Sequence, residues 1–382
     1  MNHAQIVEND AEHARLYAKV KARVETGEER QAEVLRQVSQ MVIRDKLVAP
    51  TQMKFSGGDN LELLAYYAND PEKTFTIHRH ALGQIAGKDR VKIDMEYVNR
   101  MLRAKEAWRT DLIAHMLSVT YGNTDFRNKR DDNPKFLHRI VGQEIRGFVS
   151  RRFNRHIASA PLLRAFLEVC GELGAAPFDA SASDVKFAVK CAIPYVFEPV
   201  KNEFIAIGIE WSNSDFGAGR MQVALCIWMP RGDRFSVFDQ VLFRRHIGSI
   251  IEESDIEISD ETAQKEAAAQ ASAIRDTVRE QLSEKNIDIV LRTIELASQE
   301  NIPWATLKGQ FSRFLSRENL KTLEDALEQD IIDLPPVKVV DEEKMPTRWW
   351  ATQALSWLAT RTTDMEKKLE LERASSGFLE VK

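Results

Sequence analysis

Three runs in the middle of the chain alternate between apolar and polar residues. In 185–191, 204–211 and 219–228, every second residue is apolar. Because successive side chains of a strand point to opposite faces, this pattern predicts three strands of a sheet that buries one face. A fourth run, 235–243, alternates less regularly and is predicted to be a further strand.

Two more strand-like runs precede these strands. Residues 136–141 and 145–153 flank Gly142-Gln143, a sequence typical of a hairpin turn. An amphipathic helix is predicted next, over 159–173. The order of hairpin, helix and antiparallel strands favours an α+β fold with a central antiparallel sheet over an alternating βαβ fold.

Helical periodicity marks the chain on both sides of this core. In one predicted helix, Trp108, Leu112, His115 and Met116 share one side. The predicted helices are 4–47 with an interruption at Gly27, 80–87, 94–104, 108–121, a helix that starts at Ser259, and then 284–299, 304–315, 317–329 and 347–372.

These elements divide the chain into six predicted segments. They are an N-terminal helical arm (1–50), a mixed helical region (51–135), the antiparallel α+β core (136–258), a helical region (259–332), a linker (333–347) and a C-terminal helix with its tail (348–382). We therefore expect helical regions to flank the central sheet on both sides.

Charge is distributed unevenly along the chain. The 382 residues include 53 Lys and Arg and 58 Asp and Glu, a net charge of −5 that argues against a uniformly basic nucleic-acid coat protein. Residues 127–156 nevertheless hold nine basic and three acidic residues, a local charge of +6, with three phenylalanines among them and Phe126 directly before them. Arginine binds phosphate through paired hydrogen bonds, and aromatic rings stack on unpaired bases. The hairpin is therefore a candidate surface for single-stranded nucleic acid.

The candidate nucleic-acid-binding residues lie on the hairpin, on the strand at 185–191 and in a second basic stretch after 230. They are Arg139, Arg146, Arg151, Arg152, Arg155, Lys186, Lys190, Arg244 and Arg245. The alternative interpretation is a solvated hairpin whose aromatic side chains belong to the core.

No pattern in the sequence indicates catalytic, cofactor or metal chemistry. His78 and His80 would face one side of a strand, but no further ligands follow at a recognisable spacing. The chain has no P-loop, no dinucleotide-binding glycine motif and no nucleophile elbow. Asp215-Phe216-Gly217 is predicted to belong to a turn. We therefore predict a non-enzymatic protein without a cofactor or a metal.

The cysteines and the lengths of the apolar runs indicate where in the cell the protein is located. Cys170, Cys191 and Cys226 lie in apolar segments without metal-binding spacing, which predicts buried free thiols and a reducing compartment. No run of about 18 apolar residues is present, and the N-terminus lacks the apolar stretch of a secretory signal. We expect a cytoplasmic protein without a membrane partner.

Three short motifs resemble a known family. Their residues are Gly147, Ser150, Arg152 and Phe153 in the second hairpin strand, Asn213, Ser214, Asp215 and Gly217 between two strands, and Arg245, His246 and Gly248 before a long helix. In this order, over about residues 75–300, they resemble an uncharacterised phage- and plasmid-borne family known only as a domain of unknown function. The chain departs from the family at Phe216, an extra residue in the turn, and after Cys226, where the family's Cys-x-Asn segment is missing.

The resemblance implies an origin in a phage or another mobile element. The order of hairpin, helix and sheet is also similar in architecture to the single-strand annealing proteins of the Redβ/RecT kind, although a shared fold does not determine function. If the protein is phage-encoded, the cytoplasm would be that of the host cell.

Three hypotheses for function follow. The first is a DNA-associated protein of a mobile element that binds or anneals single strands through the basic hairpin and forms homo-oligomers through its terminal helices. The second is an assembly protein that contacts a protein partner through the C-terminal helix with Trp349, Trp350 and Trp357. The third is a metal-dependent nuclease that uses Glu210, Asp215 and Asp239.

Overall fold

The fold is α+β, as predicted. It is seen in a computed structural model that describes residues 11–58, 62–88, 91–127, 134–150, 159–238, 260–328, 334–340 and 343–379. The helices of these ranges are α1 (Ala11–Gln40), α2 (Arg79–Ala86), α3 (Met95–Arg103), α4 (Ala107–Asn123), α5 (Ser159–Glu172), α6 (Asp260–Gln281), α7 (Glu284–Gln299), α8 (Trp304–Phe311), α9 (Arg317–Glu328), α10 (Arg348–Thr360) and α11 (Met365–Ser376).

The strands of the same ranges form two six-stranded sheets and one small pair. They are β1 (Ile43–Val48), β2 (Met53–Gly57), β3 (Leu63–Tyr67), β4 (Asp70–Ile77), β5 (Phe136–Val141), β6 (Glu144–Ser150), β7 (Ala176–Ala182), β8 (Phe187–Ala192), β9 (Phe197–Val200), β10 (Glu203–Asn213), β11 (Gln222–Met229), β12 (Arg234–Val237), β13 (Lys338–Val340) and β14 (Glu343–Met345).

The first sheet contains the hairpin. Its strand order is β1-β5-β6-β4-β3-β2, and it is mixed because β4 and β6 run parallel. β5 and β6 form the predicted hairpin, in which Val141 pairs with Glu144. The turn between them contains Gly142 at a φ of +60°, a value that favours glycine. The hairpin thus pairs with strands from the N-terminal third of the chain.

The second sheet contains the alternating strands. Its order is β12-β11-β10-β8-β7, all antiparallel, with β9 paired to β10. On one face, Val189, Ile209 and Trp211 pack against α5 and α6. The other face is also covered. Every residue of β8 is buried, and so is every residue of β10 except Glu203 at its start. The prediction that this sheet buries only one face is therefore wrong, because α11 lies over the polar positions.

Helix α1 covers the edge of the second sheet. The helix continues through Gly27, where the sequence predicted an interruption. Leu16 and Val20 are buried against Phe178 and Trp228. A Cβ atom at Gly27 would collide with the carbonyl of Pro177 on β7, so the absence of a side chain lets the helix approach the strand.

The predicted helix over 108–121 is present as α4. Its inner side is formed by Ile113, Leu117 and Tyr121, while Trp108 and Leu112 share the exposed side. The predicted C-terminal helix is two helices, α10 and α11. The second of them starts after Asp364, whose carboxylate accepts hydrogen bonds from two backbone N–H groups of the first turn.

The tryptophans of α10 are buried. Trp349, Trp350 and Trp357 pack on neighbouring helices and on the second sheet, with at most 6% of each residue exposed. They are therefore not available as surface anchors for a partner, which corrects the expectation of a Trp-rich interaction helix. Among the described residues, no helix is long and apolar enough to cross a membrane.

Candidate nucleic-acid interface

A cleft of about 1070 Å³ lies between the two sheets. One wall is formed by α2 and the end of β6, and the opposite wall by the 213–221 segment that joins β10 to β11. Residues 364–366, at the start of α11, complete it. The cleft is thus assembled from four stretches that are far apart in the sequence.

The 213–221 segment is held in place by contacts from the first sheet. His80 Nε2 and Gln84 Nε2 donate to the carbonyl of Phe216 at 3.2 and 3.0 Å. The Gln84 side chain also accepts a hydrogen bond from the backbone N–H of Phe148 at 2.6 Å. A Cβ atom at Gly147 would lie 3.1 Å from the same Phe216 carbonyl, so this glycine permits close packing of the two sheets.

A polar network fixes the base of the cleft around Asp215. Asn213 Nδ2 donates to Ser159 Oγ at 2.9 Å, and that hydroxyl donates to Asp215 Oδ1 at 2.7 Å. The Arg139 guanidinium donates to the Asp215 carbonyl and also lies 3.6 Å from the Asp45 carboxylate. Burial lowers the pKa of Arg139, and both acids act in the opposite direction. Arg139 therefore joins the sheets and has little surface to offer a ligand.

Two arginines present exposed side chains to the cleft from different walls. Arg79 lies at the start of α2, and Arg220 lies just before β11. Neither side chain makes a hydrogen bond or an ion pair with another described residue. Lys88 also lines the cleft, and its ammonium group lies 5.2 Å from the ring centres of both Phe136 and Phe148.

The two predicted histidines lie at the start of a helix and not on a strand. His78 caps α2, and its Nδ1 accepts a hydrogen bond from the His80 backbone N–H at 3.1 Å. Burial lowers the pKa of His80, although its bond to Phe216 and the charge of Glu366 act in the opposite direction. No group of three or more His, Cys, Asp or Glu residues is placed to hold a metal in the part of the chain that the structure describes.

The remaining candidate cations differ in their surroundings. Arg146 Nε is 2.7 Å from Glu144 Oε2, and its Nη1 donates to the Asp184 carbonyl at 3.2 Å. Lys190 is fully buried under α11, with its ammonium group 2.9 Å from Glu372 and 3.3 Å from Glu210. Such a lysine cannot reach a phosphate, so the surface role predicted for Lys190 is wrong.

Several predicted residues lie outside the described ranges. These are Arg151, Arg152, Arg155, Arg244, Arg245 and Asp239. Ser150 and Ser159, on either side of 151–158, are described: the first lines the cleft and the second binds Asp215. Nucleic-acid contact by Arg151, Arg152 and Arg155 remains a prediction from the sequence.

The carboxylates proposed for a nuclease have other partners. Glu210 is buried and accepts a hydrogen bond from Arg373 at 2.7 Å besides its contact with Lys190. Burial raises the pKa of Glu210, but these two cations outweigh it and the net shift is downward. Asp215 is engaged by Ser159, as described above. The two described acids therefore serve as structural anchors.

The site also contains residues that sequence analysis did not propose. Arg79 and Lys88 line the cleft, yet no local pattern singled them out. A signal did exist in the family-like motifs. Gly147 contacts the Phe216 backbone, and Ser150 lines the same cleft as the 213–217 turn. Two motifs separated by about 60 residues therefore meet at one place.

Comparisons with known proteins do not identify the chain. No protein-family model, no curated protein and no solved structure matches it. The resemblance to the phage- and plasmid-borne family stays a prediction.

Proposed function

We propose that the cleft binds single-stranded nucleic acid. The observation that carries this proposal is the pair of exposed guanidinium groups, Arg79 and Arg220, on two walls of a cleft of about 1070 Å³. Arginine recognises phosphate through paired hydrogen bonds. The proposed interface is thus the cleft beside the hairpin, not the hairpin's outer face.

The rest of the lining supports a strand with exposed bases as the ligand. Met95, which is half-buried, also lines the cleft and adds apolar surface to the cationic lining. An unpaired strand presents both phosphates and the flat faces of its bases, whereas a duplex hides the bases. This mixture of cationic and apolar surface favours a single strand over a simple inorganic anion.

The wider biological role is also a proposal. The sequence resemblance supports a protein of a phage or another mobile element, and single-strand annealing in particular would require self-association. Arg151, Arg152 and Arg155 lie outside the described residues, and their phosphate contacts stay predictions from the sequence.

Fluorescence anisotropy with a labelled 20-nucleotide oligo(dT) tests this proposal. The full chain should bind at low salt, and binding should weaken as salt rises because counterions are released. Arg79→Gln should weaken binding about three- to tenfold, whereas Lys321→Gln, an exposed substitution on α9, should not. No binding at low salt, or equal binding by the two variants, would refute the proposal.

A second candidate function is assembly through α4. Its outward side carries Trp108, Leu112 and Val119, which are 57%, 44% and 45% exposed and follow one another at helical spacing. Exposed apolar side chains on one helix face are typical of a protein interface. Light scattering measures the solution mass of the wild type and of the double variant Trp108→Ala with Leu112→Ser, which should be smaller than that of the wild type. A monomeric wild type would exclude self-association through α4.

A further inference from the structure

Lys186 reaches the wall of the cleft from the second sheet. It precedes β8 and belongs to the same face of the sheet as Lys190. Its ammonium group lies beside Gly219, a lining residue: a Cβ atom at Gly219 would be 3.3 Å from Lys186 Nζ. The lysine therefore lies directly behind the cleft surface, next to Arg220.

The Lys186 ammonium group lacks a direct partner. Among the described residues, it makes no hydrogen bond and no ion pair. Burial lowers the pKa of Lys186, and the positive charge of Arg373 adds to this effect, while Glu210, Glu366 and Glu370 oppose it from a distance. A half-buried cation without a hydrogen-bonded counter-ion is stabilised when an anion binds beside it.

Gly219 keeps the space in front of this lysine open. Its φ is +146°, so a side chain here would be strained. Apart from Lys186, no atom of the described residues lies within 4 Å of the position that its Cβ would take, its neighbours in the chain excluded. The corner thus combines the Lys186 ammonium group beside Gly219 with the exposed side chain of Arg220, the next residue in the chain.

An acidic side chain lies near this corner. Glu366, in the first turn of α11, lines the cleft and acts electrostatically on both Lys186 and His80. Its side chain is exposed and takes no direct contact from either group among the described residues. A carboxylate in this position competes with any other anion for the same cations.

We propose that Lys186, Gly219 and Arg220 form a phosphate-binding subsite of the cleft, and that the Glu366 carboxylate weakens phosphate binding there. The proposal rests on the function proposed above and adds a place where one phosphate group is held. The ammonium group supplies a point charge, and the guanidinium group supplies paired hydrogen bonds to two phosphate oxygens. The phosphate comes from the backbone of a bound strand or from a free nucleotide, which share this chemistry.

Opposite effects of two substitutions test the subsite. The full chain is titrated with two phosphate-bearing probes, labelled oligo(dT) by anisotropy and thymidine 5′-monophosphate by calorimetry. Thymidine, which lacks the phosphate, is the negative control for the nucleotide. Lys186→Met should weaken phosphate binding about tenfold, whereas Glu366→Gln should tighten it about two- to fivefold. Lys321→Met on α9 and Glu318→Gln on α9 are the matched controls and should change neither.

The two probes distinguish a free nucleotide from a strand as the source of the phosphate. They also distinguish failure of the subsite from failure of the proposed single-strand function. Effects on the nucleotide and the oligonucleotide support a subsite for a single phosphate, and effects on the oligonucleotide alone support a backbone phosphate of a strand. If the oligonucleotide binds but Lys186→Met and Glu366→Gln both bind it like the wild type, the subsite is refuted. If only the nucleotide binds and both variants shift it as expected, the subsite stands while the single-strand function fails.

Folding of the variants is checked independently. Glu366→Gln changes an exposed side chain and leaves the Asp364 cap in place, so its result does not depend on a perturbed core. Lys186→Arg, which keeps the charge, should restore at least part of the binding that Lys186→Met loses. A loss of equal size in Lys186→Arg and Lys186→Met, with unchanged circular dichroism, would contradict a role for the charge.

Discussion

Lys186 and Lys190 lie four residues apart on the same face of the second sheet, yet their surroundings are opposite. Lys190 contacts Glu372 at 2.9 Å and Glu210 at 3.3 Å beneath α11. Lys186 has no such contact among the described residues and lies beside a glycine of the cleft wall. Whether a buried carboxylate lies within contact distance therefore decides whether a lysine of this face supports the fold or is open to a ligand.

The partners of Lys190 form a buried charge cluster. Arg373 donates to Glu210 at 2.7 Å and to Ser212 at 2.9 Å. Burial raises the pKa of Glu372 although Lys190 acts against it. Burial alone would lower the pKa of Lys190, but Glu372, Glu210 and Asp179 raise it above its ordinary value. The cluster attaches α11 to the sheet, because each charge depends on the others for compensation.

The largest expected effect in this comparison is on stability. Lys190→Met should reduce the free energy of unfolding by about 3–5 kcal/mol, because it takes the nearest cation from the buried Glu372 carboxylate and one of two cations from Glu210. Lys186→Met should cost less than about 1 kcal/mol, since it removes a half-buried charge that has no direct partner among the described residues. Urea unfolding followed by circular dichroism measures both. Equal losses would show that the two lysines do not differ as described.

The next effect concerns a buried group that stays neutral. His138 on β5 is buried, and its Nδ1 forms a 2.9 Å hydrogen bond with the Tyr67 hydroxyl. Burial, with a smaller contribution from the charge of Lys46, lowers the pKa of His138 to about 3. The unfolded chain therefore binds a proton at higher pH than the folded chain does, which favours unfolding in acid.

The contribution of His138 to stability is complete above its ordinary pKa of 6.5 and is lost as the pH falls from there toward 3. We expect a loss of about 3 kcal/mol between pH 7 and pH 4 from this residue. His138→Gln accepts a hydrogen bond but does not titrate, so its unfolding free energy should fall less over this range. If the unfolding free energies of the wild type and His138→Gln fall equally with pH, His138 does not cause this acid sensitivity.

The smallest effects separate paired from unpaired arginines in nucleic-acid binding. Arg146 is already engaged by Glu144 and the Asp184 carbonyl, whereas Arg220 is exposed in the cleft without such contacts among the described residues. Arg146→Gln should change oligo(dT) affinity less than twofold, and Arg220→Gln should weaken it about three- to tenfold. Anisotropy measures both affinities. A larger loss of affinity in Arg146→Gln than in Arg220→Gln would instead support binding on the outer face of the hairpin.

Local patterns predicted much of the fold. The hairpin at Gly142-Gln143, helix α5 and the strands β8, β10 and β11 follow from turn residues and from the spacing of apolar residues. Strands β2, β3 and β4 were not predicted, because runs such as 63–67 are short and largely apolar. Such runs fit a buried helix turn as well as a strand.

The candidate site was harder to predict, because it depends on which distant segments meet. In the sequence, Lys186 and Lys190 are equivalent members of one alternating run, and only their contacts with distant segments distinguish them: Lys190 contacts Glu372 of α11 and Glu210 of β10. Likewise, Arg79 and Arg220 are 141 positions apart and share no local motif. Tryptophans of the C-terminal helix indicate an interface or a core equally well until their neighbours are known.

The most direct test of the account is the salt dependence of oligo(dT) binding. If Arg79 and Arg220 each contact a phosphate, the wild type should show a steep linear fall of log K with log salt concentration. The double variant Arg79→Gln with Arg220→Gln should reduce that slope by about 1.4, or about 0.7 for each lost contact with a single strand. An unchanged slope in the double variant would show that nucleic acid does not bind in the cleft.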